Sequence, residues 1–251
     1  MKQLLNTLYV TTQGAYLARE GETVLVRVEG ETKLRVPIHN LGGIVCFGQV
    51  SCSPPLLGLC AERQVAVSFL SKNGRFWARV QGPVSGNVLL RREQYRRADN
   101  EARTAEIARA VVIAKIANCR TVLLRASRER SALRQAQGGD TATADIAGAA
   151  DHLAGLLSTL ESPQSSDSIR GLEGDAAHWY FGVFDHLILA QKEDFFFKDR
   201  NRRPPLDNIN ALLSFLYTLL AHDVASARET VGLDPAVGFL HRDRPGRPGL
   251  A

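Results

Sequence analysis

The sequence predicts an α+β protein, with a small β-rich domain followed by a larger all-helical domain. Three observations predict it. Up to about residue 85, short β-branched and apolar runs alternate with Gly-containing turn signals. Beyond that point the apolar runs are long and repeat with helical spacing. Between the two lies GPVSGNVLL (82–90), whose Gly, Pro and Ser suit a connection. The predicted division is 1–85 for the β-rich domain, 86–96 for a linker and 97–251 for the helical domain.

The elements follow in order. LLNTLYVTT, AYLARE, TVLVRVEG, KLRVPI and IVCFG each read as a strand, with Gln13-Gly14, Gly21-Glu22 and Gly30-Glu31 as the turns between them. SPPLLGLCAERQ reads as one short helix, because proline is tolerated in a first turn behind a serine cap. VAVSFLS and RFWARVQG flank Lys72-Asn73-Gly74, and Asn-Gly between two strand patterns signals a hairpin. The stretch from Glu101 to Gln135 is free of Gly and Pro and places Ile107, Val111 and Ile116 on roughly one face of a long helix. Gly138-Gly139 and SPQSSDS bracket a shorter helix around AADHLAGLLSTL. FFFKDRNRRPP is a basic loop. Asp207 or Asn208 then caps a helix that is apolar almost all round, as a buried central helix is, with His222 at its end.

Composition narrows the function classes. Hydrophobic residues make up 45% and charged residues 23%, as in a soluble globular protein. No apolar run reaches the roughly 18 residues of a membrane span, and the N-terminus turns polar too early for a signal peptide. Cys46, Cys52, Cys60 and Cys119 form no Cys-x-x-Cys pair, so free thiols in a reducing cytoplasm are the expected state. Of 31 basic residues only six are Lys, and arginine is the better residue for bidentate phosphate recognition. Residues 91–134 hold twelve basic and five acidic side chains, a surplus of +7 against +5 for the whole chain. So one-sided a stripe points to a polyanionic partner.

P-loop, G-x-G-x-x-G, H-E-x-x-H and G-x-S-x-G patterns are all absent. The chemical question sits in SSDSIRGLEGDAAHWYFGVFDHLIL (165–189). Glu173 stands at the mouth of an apolar helix marked by Leu172, Ala176, Tyr180, Val183 and Leu187. A carboxylate beside such a face needs a cation, a metal or a set of donors. His178 lies about 140° around the helix from Glu173 and does not share its face. His241 follows LDPAVGFL and precedes RDRPGRPG, which places an imidazole among arginines.

RGLEGDAAHWYF, RNRRPPLDNINALLSFLYTLLAHD and VGFLHRDRPGRPGLA, in that order, resemble the CRISPR-associated spacer-acquisition integrase, the Cas-one family of DNA endonucleases. LLNTLYV, RVPIHNLGGIVCFG, SFLSKNGRFWARV and GPVSGNVLLRREQY are similar too, so the resemblance covers nearly the whole chain, and the branch resembles that of type I-C systems. It implies a cytoplasmic, metal-dependent endonuclease and integrase with Mg²⁺ or Mn²⁺ as cofactor. It implies Glu173 and His241 as metal ligands and catalytic residues, with Gly174 allowing a ligand to come close. The implied partners are double-stranded DNA bound with little sequence preference, a second copy in a homodimer, and a small bridging protein of the adaptation complex. Lys115, Arg170, Arg200, Arg202, Arg203, Arg242, Arg244 and Arg247 are the candidates to hold DNA. The competing reading is a catalytically silent DNA-binding and assembly module. The family pattern also places acidic residues about a dozen positions beyond the motif histidine, past Ala251 here, and Asp243 is a poor substitute. The expectation is therefore a weak metal site, little nuclease activity and exposed apolar surface beside LLSFLYTLL.

Overall fold

The structure is a computed structural model that describes residues 6–80, 82, 87–133, 141–202, 204–241 and 249. A β-rich N-terminal region is followed by a helical C-terminal region, the predicted α+β class. By compactness the chain divides into one unit built from Met1–Arg91 with Phe215–Pro235, and another built from Arg92–Ser214 with Ala236–Leu250.

The first unit holds two four-stranded sheets. One is ordered β1 (Thr7–Val10), β5 (Gly43–Phe47), β7 (Ala66–Leu70), β8 (Phe76–Val80); the other β4 (Glu31–Pro37), β3 (Thr23–Val28), β2 (Tyr16–Glu20), β6 (Ser51–Cys52). Strand β5 pairs in parallel with both β1 and β7, and all five of its residues are buried. That is why GIVCF reads as a continuous apolar run and not an alternation. The β3–β4 turn is Glu29-Gly30, both at positive φ (52° and 83°), as a two-residue turn between twisted strands requires. The Asn-Gly signal also forms its hairpin: the Gly74 amide donates to the Ser71 carbonyl (2.9 Å), and β7 and β8 pair antiparallel. Gly74 (φ +81°) lies against the Phe215 ring, so a Cβ would clash there as well as strain the backbone. Helix α1 (Pro54–Glu62) starts at Ser53, whose hydroxyl accepts from the Leu56 amide (3.3 Å). Strand β6, only two residues long, escaped the sequence reading.

Helix α2 (Val88–Ala98) occupies most of the stretch read as a linker. Its cap is visible in the structure, where the Asn87 carboxamide accepts from the Leu89 amide (2.9 Å). In the second unit, α3 (Glu101–Leu133), α4 (Thr141–Thr159) and α5 (Ser166–Gly182) share one core. The buried face of α3 is Ala105, Ala108, Val112, Ile116 and Leu123, steps of three, four, four and seven that follow the helical period. Val111 is a correction. It lies 100° off that face and is 60% exposed. Alanines at 105, 108, 149 and 150 keep this core narrow, with Leu153 and Ile146 filling it from α4.

Helix α6 (Asn208–Thr230) departs most from expectation. Phe215 and Leu219 pack on Val45, Phe47 and Leu70, yet Leu212, Leu216, Tyr217 and Leu220 are each about half exposed. The helix is apolar all round without being buried all round. By length and composition alone it could cross a membrane, contrary to the sequence reading, although core helices of soluble proteins meet the same criterion. His222 is a second correction, since the helix runs eight residues past it to Thr230. It is no C-terminal cation. Its ring stacks on Phe76 (3.9 Å between centroids), and burial, aided by the Arg79 charge and opposed by Asp223, lowers its pKa below the ordinary 6.5.

The sign follows. Below about pH 6.5 the unfolded chain binds a proton at this position that the folded chain resists, so acid removes stability in that window. Asp223, its pKa raised by burial, works in the opposite sense. The difference between wild type and His222→Phe isolates the histidine. Thermal melts from pH 7.5 to 5.5 should fall less steeply for the variant, and parallel profiles would contradict the assignment.

Candidate functional site

Helix α5 begins at Ser165, whose hydroxyl accepts from the Ser168 amide (3.2 Å), with Asp167 in the first turn where the helix dipole favours it. RGLEG therefore lies in mid-helix, not at a helix mouth. Ile169 and Ala176 mark the buried face, with Leu172 and Tyr180 partly buried against the same core. Glu173, 100° on from Leu172, falls at the edge of that face, and its side chain is 20% exposed. Its partner within the chain is Lys115 of α3, whose ammonium donates to the Glu173 carboxylate. Lys115 thus sits beside the carboxylate, besides being a candidate for DNA contact.

Arg170 holds the second motif. Its Nε and Nη2 donate to the Leu240 carbonyl (3.3 and 3.1 Å), and its Nη1 donates to Asp167 Oδ1 (2.5 Å). Phe239 and Leu240 pack against the core that α5 helps to form. One turn before Glu173, α5 therefore fixes the main chain one residue before His241. The imidazole itself is exposed at a cleft of about 600 Å³, lined also by Tyr95, Glu101, Ser166, Asp167 and Arg170.

Gly171 and Gly174 lie on the exposed side of α5, and a Cβ at either would meet nothing within 4 Å. Each costs about 0.5–1 kcal/mol against alanine in a helix interior. Among the described residues no contact explains them. On the other edge of the helix, His152 Nε2 lies 2.8 Å from Asp175 Oδ2 and stacks on Trp179 with 4.3 Å between centroids, a cluster the sequence reading did not find.

Of the remaining candidates, Arg202 is exposed and the others divide into two groups. Arg200 is committed inward: Nη1 donates to Asn210 Oδ1 (2.7 Å) and the Asn201 carbonyl (2.6 Å). Arg203, Arg242, Arg244 and Arg247, with Asp243, lie outside the described residues. Much of the basic stripe on α2 and α3 is also structural. Arg109 donates to the Leu160 and Glu161 carbonyls just past the end of α4, Arg120 to the Ala150 carbonyl and Arg130 to the His186 carbonyl. Arg125 pairs with Glu129, and Arg96, Arg97 and Arg103 gather around Glu93.

Among the described residues no three His, Cys, Asp or Glu side chains stand close enough to hold a metal ion together. Glu173 and His241 are donors of suitable chemistry, but they do not make a complete metal centre by themselves.

The family model for CRISPR associated protein Cas1 matches residues 8–251. The chain belongs to the Cas1 family. It is 54% identical over 251 residues to the CRISPR-associated endonuclease Cas1 1 of Chlorobaculum tepidum, an alignment covering all of this chain and 71% of that protein. Its fold is similar to that of a Cas1 protein from Thermotoga maritima, at TM-score 0.72 and 23% identity, covering 98% of this chain and 72% of the other. It is also similar to part of a Cas6-RT-Cas1–Cas2 complex, at TM-score 0.69 and 22% identity, covering 97% of this chain and 25% of that one. In this Cas1-family chain, the RGLEG and GFLH segments that carried the resemblance meet at the Arg170–Leu240 contact.

Proposed function

We propose that this chain is a divalent-metal-dependent DNA endonuclease and integrase of CRISPR spacer acquisition, of the type I-C branch. One observation carries the reading. Glu173 is a mostly covered carboxylate on a helix whose glycines face open space, in a chain 54% identical to a protein named an endonuclease. The family resemblance further supports a cytoplasmic homodimer that joins a small bridging protein; one solved protein of similar fold is a complex that includes Cas2.

The proposed cofactor is Mg²⁺ or Mn²⁺, with Glu173 and His241 as two of its donors. Carboxylate oxygen suits either ion, and an imidazole favours Mn²⁺. When bound, such an ion supplies Lewis acidity at a scissile phosphate. The chain's own residues supply placement. Lys115 orients the Glu173 carboxylate, and Arg170 fixes the backbone from which His241 projects. Exposed basic side chains such as Arg92 are available to contact phosphates without reading bases.

Nicking of supercoiled plasmid in millimolar Mn²⁺ tests the activity, and its absence at every metal concentration would remove the enzymatic reading. DNA binding tests the electrostatics. With six or more phosphates contacted, log K should fall against log salt with a slope steeper than about −5, equally for unrelated duplex sequences. A flat dependence, or a strong preference for one sequence, would contradict it.

A further inference from the structure

Cys46 and Cys52 lie with their sulfurs 3.9 Å apart, outside the site described above. Cys46 is on central strand β5, where it pairs with Val10 of β1 and Phe69 of β7, and it is 1% exposed. Cys52 ends β6, beside Leu17 of β2, and is partly exposed. Between them the chain leaves one sheet and enters the other through a bend at Gly48 (φ +68°), closed by the Val50 amide donating to the Gly48 carbonyl (2.9 Å). A third thiol, Cys60 of α1, is fully buried in the same core.

We propose that Cys46 and Cys52 form a peroxide-sensitive dithiol that closes to a disulfide between the two sheets of the N-terminal unit. The sulfurs must approach to the bonded distance of about 2.05 Å, a movement of some 2 Å. Cys52 is the attacking group, because it alone of the pair is reachable from solvent. The hydrogen bond between the two sulfurs lowers the Cys52 pKa against the effect of burial and raises that of Cys46. Burial, with the Cys52 charge, pushes Cys60 up to about 11, so Cys60 is a poorer first nucleophile than Cys52, and the 3.9 Å separation of the sulfurs makes Cys46 the partner of Cys52.

The co-reactant is a hydroperoxide. The Cys52 thiolate attacks one peroxide oxygen, an S–O bond forms, the O–O bond breaks, and the departing hydroxide takes a proton to become water. The Cys46 sulfur then attacks the Cys52 sulfur, an S–S bond forms, the S–O bond breaks, and hydroxide leaves with the Cys46 proton as a second water. Two thiols lose two electrons in all, and hydrogen peroxide gains them. In a reducing compartment the pair rests as free thiols, as all four cysteines are here.

The test uses the whole folded chain. Dilute hydrogen peroxide is added, the protein is denatured, and free thiols are alkylated with N-ethylmaleimide. The expected result is alkylation of two of the four cysteines. The tryptic peptide spanning residues 36–63, which carries Cys46, Cys52 and Cys60, should be two hydrogens lighter and carry one label. Cys60→Ser should still lose two thiols, and Cys52→Ser should lose none, its fold checked by circular dichroism. Should Cys52→Ser not fold, fragmentation of the wild-type peptide places the bond. A bond to Cys60 or Cys119, four labels after peroxide, or a Cys52 that ends as sulfinic acid with Cys46 still labelled, would each overturn the proposal.

Discussion

Glu173→Gln should lower Mn²⁺-dependent DNA nicking and strand joining by about 100-fold or more, the scale at which loss of one transition-state charge partner is felt. It should leave the fold intact. The amide has the shape of the carboxylate and can still accept from Lys115, so what it removes is charge. The Glu173–Lys115 pair joins a mostly covered carboxylate to a half-exposed lysine, and pairs of that kind contribute no more than about 1 kcal/mol. For a chain of this size the melting temperature should therefore move by less than about 4 °C. Nicking retained near the wild-type rate would separate Glu173 from the chemistry. Nicking lost together with a large drop in melting temperature would make the residue structural. The same substitution should leave the salt dependence of DNA binding close to that of wild type.

The largest effect on stability is expected at Asn210, which no motif pointed to. It is 0% exposed. Its carboxamide oxygen accepts from Arg200 Nη1 (2.7 Å) and the Asn201 amide (3.1 Å), and its nitrogen donates to the Asp199 carbonyl (2.9 Å) and Asp207 Oδ2 (2.7 Å). One side chain thus ties the basic loop at three residues before the helix and closes the first turn of α6 against Asp207. Asn210→Ala removes all four bonds and leaves buried donors and acceptors to be satisfied elsewhere. At about 0.5–1.5 kcal/mol per bond, and 1–3 for a group left unsatisfied, the cost should be about 2–4 kcal/mol. Chemical denaturation should show a lower midpoint with an unchanged m-value. Asn208→Ala, at an exposed neighbour with one bond to the Asp194 carbonyl, should cost about 1 kcal/mol or less. Equal costs at the two positions would show that the buried network is not what holds this loop.

These two residues show where the sequence was legible and where it was not. GIVCF, the Lys72-Asn73-Gly74 turn and the unbroken run after Glu101 are local signals, in which period and turn chemistry act within a few residues. They gave strands, a hairpin and a 33-residue helix in the expected places. The caps at Asn87 and Ser165 are equally local, yet composition points to a linker where α2 lies and to a start for α5 two turns beyond its cap. Strand β6 could not be read, because two residues have no period; only its pairing with β2 makes it a strand. The fate of charged side chains was the least legible. A run of arginines on α3 reads as a phosphate-binding stripe, yet Arg109, Arg120 and Arg130 each reach a backbone carbonyl far away in sequence. Glu173 was singled out because a carboxylate on an apolar helix face needs a partner, but Lys115, 58 residues earlier, was not identified as that partner. Tertiary contacts decide such questions, and spacing does not contain them. Half-exposed α6 shows the same limit, since apolar residues all round a helix say that it is able to be buried, not that it is.

The claim that Glu173 and His241 belong to one metal site is tested most directly by counting free Mn²⁺ by electron paramagnetic resonance during titration of wild type, Glu173→Gln, His241→Ala and the double variant. Wild type should bind Mn²⁺ at a site that both side chains share, with oxygen and imidazole donors suited to that ion. Each single substitution should abolish most of that binding and the double variant should lose little more, because either loss breaks the same site. Unchanged affinity in either single variant, or losses that add as at independent sites, would contradict it.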